Sequence, residues 1–420
     1  MKKIPIYLSL LFVLACAKED ANYQKASELK VVEYDYNIPS HDWENGQRPW
    51  LNVFNIIDSL KISDQINNTG FAIADFNNDG YLDINVQDNE GDDIPVKTWF
   101  LINNKDGRYF NDYSFPLEIK TDAKPPRKTI VGDFNNDGMP DVARPQGAHD
   151  RLGKPTIILS KEGGSYEFKL IGDGPEVQPH TISSGDIDND GDLDLFFAQA
   201  GEYDGFLIND SNANFTWKWI SEIIEFPVNS DGFEYPNGKK APWGFWSSEI
   251  TDVDKDGFVD IILGGSYKEN SGGAYFYGPT VLWGDGTGNY YSERSTTLFD
   301  WRNLDYAEGN IISLSHDYAV NDVDGDGIND IAVFSECSDI WLYHIIKGKG
   351  NREFVDMTKD WLPDPLRKET SNHVWIIMKD IDGNGYIDIT ESETHITSSL
   401  TGRRKSIRWE WNGSKFIKIN

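Results

Sequence analysis

Acidic residues recur in this chain at a spacing suited to holding a metal. Six segments, Asp75–Asp83, Asp133–Asp141, Asp186–Asp194, Asp252–Asp260, Asp322–Asp330 and Asp380–Asp388, share the nine-residue pattern Asp-x-[Asp/Asn]-x-[Asp/Asn]-Gly-x-x-Asp. A hard divalent cation takes about 6–8 oxygen ligands in a flexible shell. Positions 1, 3, 5 and 9 offer side-chain oxygens. In the first three loops these are Asp75, Asn77, Asp79 and Asp83; Asp133, Asn135, Asp137 and Asp141; and Asp186, Asp188, Asp190 and Asp194. In the last three they are Asp252, Asp254, Asp256 and Asp260; Asp322, Asp324, Asp326 and Asp330; and Asp380, Asp382, Asn384 and Asp388. Position 7 can add a backbone carbonyl, from Tyr81, Met139, Asp192, Phe258, Ile328 and Tyr386. Position 6 is glycine in all six copies, the residue that reaches positive φ without steric cost. An all-oxygen donor set, with no Cys/His cluster of zinc spacing, selects calcium over transition metals, and magnesium's tighter octahedron suits it less. Asp-Asn-Gly runs also make simple turns, but six copies in one frame are a repeat. Up to six Ca²⁺ are therefore expected.

An EF-hand loop begins the same way but ends on a bidentate Glu at position 12, between two helices. Position 12 is Val86, Arg144, Phe197, Leu263 and Val333 in the first five segments; only the sixth carries a glutamate, Glu391. The flanks are β-rich, as in Leu193-Asp-Leu-Phe-Phe and His373-Val-Trp-Ile-Ile-Met, so Glu391 is read as coincidence.

The loops recur at intervals of 58, 53, 66, 70 and 58 residues. Each unit reads as an apolar strand, the acidic loop, a second apolar strand, then a third strand, a Gly/Asn turn and a fourth. The later pair is visible in Phe206-Leu-Ile-Asn-Asp-Ser-Asn-Ala-Asn-Phe and Val281-Leu-Trp-Gly-Asp-Gly-Thr-Gly-Asn-Tyr-Tyr. Four strands per unit, repeated radially, describe an all-β fold, a β-propeller. The units resemble the FG-GAP/VCBS-type repeats of integrin-α-like propellers, in Gly132-Asp-Phe-Asn-Asn-Asp-Gly-Met-Pro-Asp and Asp322-Val-Asp-Gly-Asp-Gly-Ile-Asn-Asp-Ile. That resemblance covers residues 70–420 and implies fold and calcium binding; propellers of this kind host adhesion, glycan binding and enzymes alike. Residues 30–69 lack the loop, and form either a degenerate seventh blade or an irregular element beside six blades; the second reading is preferred.

The amino terminus reads as an exported leader. Met1-Lys2-Lys3 precedes an apolar run from Ile4 to Ala15 that is too short to span a bilayer. Residues 1–15 thus read as a signal peptide. Val13-Leu14-Ala15-Cys16 resembles a bacterial lipobox, which implies lipidation of Cys16 and an outer-membrane lipoprotein. Lys18-Glu19-Asp20 is similar to surface-export signals, so display on the cell surface is expected, with 16–29 as a tether. Cys337, read as following a strand over Ile328–Phe334, is then left without a disulfide partner, and a buried inert thiol is its expected role. The formal charge of −30 and the lack of a basic stripe argue against nucleic acid as a partner.

Alternating strands put the acidic loops and the Gly/Asn turns on one face, and the longer, more varied connections on the other. Function concentrates on such long loops. Arg127, His180, Trp246 and His316 lie six residues before the first Asp of their loops and His373 lies seven before. With Trp243 these could ring the mouth of the central channel as a polar-aromatic ligand pocket; the alternative is that they cap strand ends. No Ser-His-Asp order, His-Glu-x-x-His or phosphate loop is present, and among 69 acidic residues no catalytic pair can be chosen. The expectation is a calcium-stabilised surface binding module for a glycan or protein partner. A polysaccharide lyase or glycoside hydrolase on the same scaffold, or a structural subunit of an outer-membrane assembly, are its rivals.

Overall fold

The computed structural model describes residues 69–419 apart from 88–97, 104–108, 112–127, 200–203, 227–232, 242–244, 269–277, 302–311, 368–374, 381–383 and 397–407, and the short stretches 146, 149–150, 153, 163, 177–178, 235, 338–339, 364 and 393–394. The leader, Cys16, the tether and residues 30–68 lie outside the described residues.

Six antiparallel four-stranded blades follow one another along the chain. The first is Thr69–Ala74, Asp83–Gln87, Thr98–Asn103 and Tyr109–Asn111; the second is Ile130–Gly132, Asp141–Arg144, Thr156–Lys161 and Ser165–Leu170. The third is Pro179–Gly185, Asp194–Gln199, Gly205–Ile208 and Thr216–Trp219. The fourth is Phe245–Thr251, Asp260–Lys268, Thr280–Leu282 and Ser295–Thr297. The fifth is Ile312–Asn321, Asp330–Cys337, Ile340–Gly348 and Phe354–Asp356, and the sixth Trp375–Lys379, Asp388–Ser392, Arg408–Trp411 and Phe416–Ile419. Among the described residues, helix is limited to short pieces such as Ile220–Ile223 and Thr358–Trp361. No helix among the described residues is long and apolar enough to cross a membrane.

The strand sequences explain the stacking. A strand covered on both faces loses its alternation and reads as an apolar run. Leu195, Phe196, Phe197 and Ala198 are such a run, all fully buried. Leu195 and Phe197 face a core shared with the second blade, including Ile130 and Ile157; Phe196 and Ala198 face one shared with the fourth, including Ile250 and Ile261. Consecutive inner strands stand side by side around the axis.

Ring closure settles the blade count. His395 and Ile396, beyond the sixth blade's second strand, pair antiparallel with Gly70 and Thr69 at the start of the first blade. The fourth blade uses the same device on the fifth, where Ser266–Lys268 pair with Leu314, Ser313 and Ile312. The sixth blade thus meets the first directly, and the propeller has six blades, not seven.

Two elements differ from the sequence reading. Tyr290–Tyr291 is not the fourth strand of its blade but pairs in parallel with Ile224–Glu225. The buried Tyr290 hydroxyl donates to the Val259 carbonyl at 2.9 Å and fixes it there, so the chain turns through Ser292–Arg294 before Ser295–Thr297 completes the sheet. Cys337 lies within its strand rather than after it, and its side chain is outside the described residues.

Candidate metal centres and the propeller axis

Each acidic loop joins the first and second strands of its blade and is wound by its own carboxylates. At position 1, one oxygen accepts the N–H of position 5 and the other that of position 6, as Asp75 does from Asp79 at 2.9 Å and Gly80 at 2.6 Å. The other five loops repeat this through Asp133, Asp186, Asp252, Asp322 and Asp380. The position 5 oxygen accepts the N–H of position 7 in all six. Position 6 glycines hold φ between +87° and +103°. Position 4 is also left-handed, at Asn78, Asn136, Asn189, Lys255 and Gly325, which explains the preference for Asn and Gly there.

Position 9 does something the pattern alone does not show. Asp83, Asp141, Asp194, Asp260, Asp330 and Asp388 are fully buried. One oxygen accepts the N–H of position 2, from Phe76, Phe134, Ile187, Val253 and Val323. The other accepts an N–H at the end of the third strand, from Asn103, Ser160, Asn209, Gly284, Gly348 and Trp411. This aspartate therefore staples the metal loop to the neighbouring hairpin. The described position 2 side chains, Phe76, Phe134, Ile187, Val253 and Val323, are buried and plug the cores between blades. Their periodic recurrence as Phe, Ile or Val was the available signal.

The staple also faces the loop. In the third, fourth and fifth blades, carboxylate oxygens of Asp186, Asp188 and Asp194, of Asp252, Asp254 and Asp260, and of Asp322, Asp324 and Asp330 lie within 4.8 Å of one another. The first two loops carry Asn77 and Asn135 at position 3, and Asp382 of the sixth is outside the described residues. Burial, reinforced by the neighbouring carboxylates, pushes Asp83, Asp141 and Asp260 up to about 8 and Asp330 up to about 7. Clustered, buried, all-oxygen acids of this kind need a counter-ion. Asp192 adds a further carboxylate beside the third cluster: it is 1% exposed, its Oδ2 accepts the Ser211 hydroxyl at 2.9 Å, and its Oδ1 has no hydrogen-bond partner. The residues present fit a hard divalent cation held by positions 1, 3, 5 and 9 and the position 7 carbonyl.

Among the described residues, cations of the chain itself dock on the fourth and fifth loops. The Lys347 ammonium bonds Asp324 Oδ2 and, at 2.7 Å, Asp326 Oδ2. Arg352, from the fifth blade's hairpin, reaches the fourth blade's loop, with Nε 2.6 Å from Asp254 Oδ2 and Nη2 2.9 Å from Asp256 Oδ2. Its guanidinium lies 4.8 Å from the Trp283 ring centre. Neither residue was singled out from sequence. Lys347 was legible: it holds the third-strand position filled by Ile102, Leu159, Ile208 and Trp283 in the first four blades.

At the axis, Lys128 Nζ lies 2.9 Å from Asp317 Oδ1 and 3.2 Å from Glu249 Oε2. Among the described residues this cluster joins the inner strands at the centre. His180, Trp246 and His316 share a different distinction. Each sits where its inner strand bulges, between Pro179 and Thr181, Phe245 and Ser247, and Ser315 and Asp317. A bulge re-aims a side chain. His316 is buried in its blade, its Nε2 3.4 Å from Glu336 and its ring 4.8 Å from that of Trp341. Trp246 is half-buried, and the His180 side chain is outside the described residues, as are Arg127, Trp243 and His373.

Residues 75–144 and 322–390 match the FG-GAP-like repeat. No curated protein sequence matches the chain. Among solved structures, AofleA from Arthrobotrys oligospora is similar at 9% identity, over 84% of this chain and 86% of its own, with a TM-score of 0.42. The Aleuria aurantia lectin in complex with α-methyl-L-fucoside is similar at 9% identity, over 84% of this chain and 94% of its own, with a TM-score of 0.38. Bacillus licheniformis rhamnogalacturonan lyase is similar at 11% identity, over 81% of this chain and 60% of its own, with a TM-score of 0.37. At such similarity no ligand or activity is carried over.

Proposed function

We propose that this protein is a calcium-loaded propeller whose metal loops brace the blades and whose opposite face binds a glycan. The observation that carries this is the double role of the position 9 aspartates. In the third, fourth and fifth blades each faces its acidic loop while its two oxygens are committed to backbone N–H groups of the loop and of the third strand, as Asp194 is to Ile187 and Asn209. A metal so wired into the frame would serve as a structural clamp between the acidic loop and the third strand. The working surface is then the rim where the inner strands begin. Three bulges in succession stand there, and the half-buried Trp246 offers an aromatic face of the kind that stacks on sugar rings. We further propose that lipidated Cys16 tethers the propeller to the outer cell surface, in keeping with the Leu14-Ala15-Cys16 sequence.

A glycan array probed with and without calcium, with product analysis of each bound glycan, tests the reading. Calcium-dependent retention of intact glycans is expected. Cleaved products would replace the binding module by an enzyme, and retention by no glycan would remove the ligand class. Incorporation of labelled palmitate into the wild-type chain but not into Cys16→Ser is expected for the tether; equal labelling would refute it.

A further inference from the structure

We infer that the calcium sites of this propeller are unequal: the third blade's loop binds most tightly, and the fourth and fifth loops form a weaker, coupled pair restrained by Arg352 and Lys347. The inference rests on the calcium reading above and specifies how the ring fills.

The third loop has five carboxylates, the four at ligand positions and Asp192. Among the described residues, no lysine or arginine forms an ion pair with any of them. Asp192 is buried, with Ser211 on one oxygen and no hydrogen-bond partner on the other, so a dication nearby would meet negative charge that no described cation answers. The fourth and fifth loops have four carboxylates each, and in each the outer oxygens of positions 3 and 5 hold a cation already. An entering dication must share those carboxylates with a like charge a few ångströms away, and like charges at that distance lower affinity even where water screens them.

The two docked loops are also tied together. Lys255 of the fourth donates to the Gly327 carbonyl of the fifth at 3.0 Å, and Asn329 of the fifth donates to the Asp252 carbonyl of the fourth at 3.2 Å. Arg352 itself belongs to the fifth blade and docks on the fourth. Winding one loop around an ion therefore pulls on the other, which is a coupling free energy between sites.

Calcium titrated into the full, chelator-stripped chain, read by isothermal calorimetry and native mass spectrometry, tests this in wild type, Lys347→Met, Arg352→Gln and Asp192→Asn. Wild type should show one tight site filling before the rest. Lys347→Met and Arg352→Gln should each tighten weak sites by about tenfold, the scale of one like charge removed, with the number of ions unchanged. Asp192→Asn should weaken the tight site alone. The Arg352 side chain is more exposed than that of Lys347, at 39% against 14%, so its variant carries the test if Lys347→Met does not fold. Unchanged or weaker binding in both cation variants would overturn the inference and leave the calcium reading standing. Absence of calcium uptake by wild type would sink the calcium reading itself.

Discussion

Lys128 and Asp317 occupy the same register, five residues before the first aspartate of their loops, in the second and fifth blades, and they meet at 2.9 Å across the propeller axis. Lys128 also bonds Glu249 of the fourth blade, and Asp317 accepts the Ile376 N–H of the sixth at 2.8 Å. Four of six blades are thus joined at one point. Burial alone would pull the Lys128 ammonium down, but the facing carboxylates outweigh it and hold the group above the usual lysine range.

Lys128→Met should destabilise the fold by about 3 kcal/mol, because it leaves two carboxylates at the axis without their cation. Urea unfolding followed by tryptophan fluorescence measures this. A midpoint equal to wild type would show that the axial cluster does not hold the ring.

The position 9 staple predicts a calcium-dependent penalty. Asp194→Asn keeps one acceptor but loses a charge and a good partner for the second N–H, so a cost of about 2 kcal/mol is expected in calcium. In chelator the cost should shrink, since the variant also removes a buried charge that lacks a counter-ion. Equal costs in both conditions would mean that Asp194 serves the backbone alone.

Lys255 holds φ near +60° at a position where three sister loops carry asparagine. Asparagine tolerates that conformation better, so Lys255→Asn should raise stability by about 0.5 kcal/mol despite losing the bond to Gly327. A lowered melting temperature would mean that the link between loops outweighs the strain.

Metal-free and calcium-loaded protein should respond to pH with opposite signs. The buried position 9 carboxylates titrate above their unfolded values, at about 8 for Asp83, Asp141 and Asp260. The folded state then binds more protons than the unfolded between about pH 4 and 8, and its stability falls as pH rises through that window. Chelated protein should therefore melt higher at pH 5.5 than at pH 8. Calcium-loaded protein should melt lower at pH 5.5, because protons compete for the ligands. Parallel curves in the two conditions would contradict this.

The acidic loops were legible because their residue types and spacing stand in the sequence itself, and the blade followed from their interval. What escaped reading depends on contacts distant in sequence. Lys128, ahead of an apolar strand, looks like a solvated charge until folding brings it to Asp317, 189 residues away. The bulges at His180, Trp246 and His316 were invisible because a bulge is a mismatch between two strands, not a property of one. Spacing did select those three positions, and the structure adds a backbone irregularity that they share. Tyr290 misled because its partner strand comes from the preceding blade.

The central claim is that calcium holds this ring together. Each site at about a hundred times its dissociation constant adds about 2.7 kcal/mol to a fold that binds the ion only when folded. Differential scanning calorimetry of the chain in excess chelator, and again after calcium is restored, measures the sum directly. The account predicts a large fall in melting temperature on chelation and full recovery with calcium but not with magnesium. A melting curve unchanged by thorough chelation would contradict it.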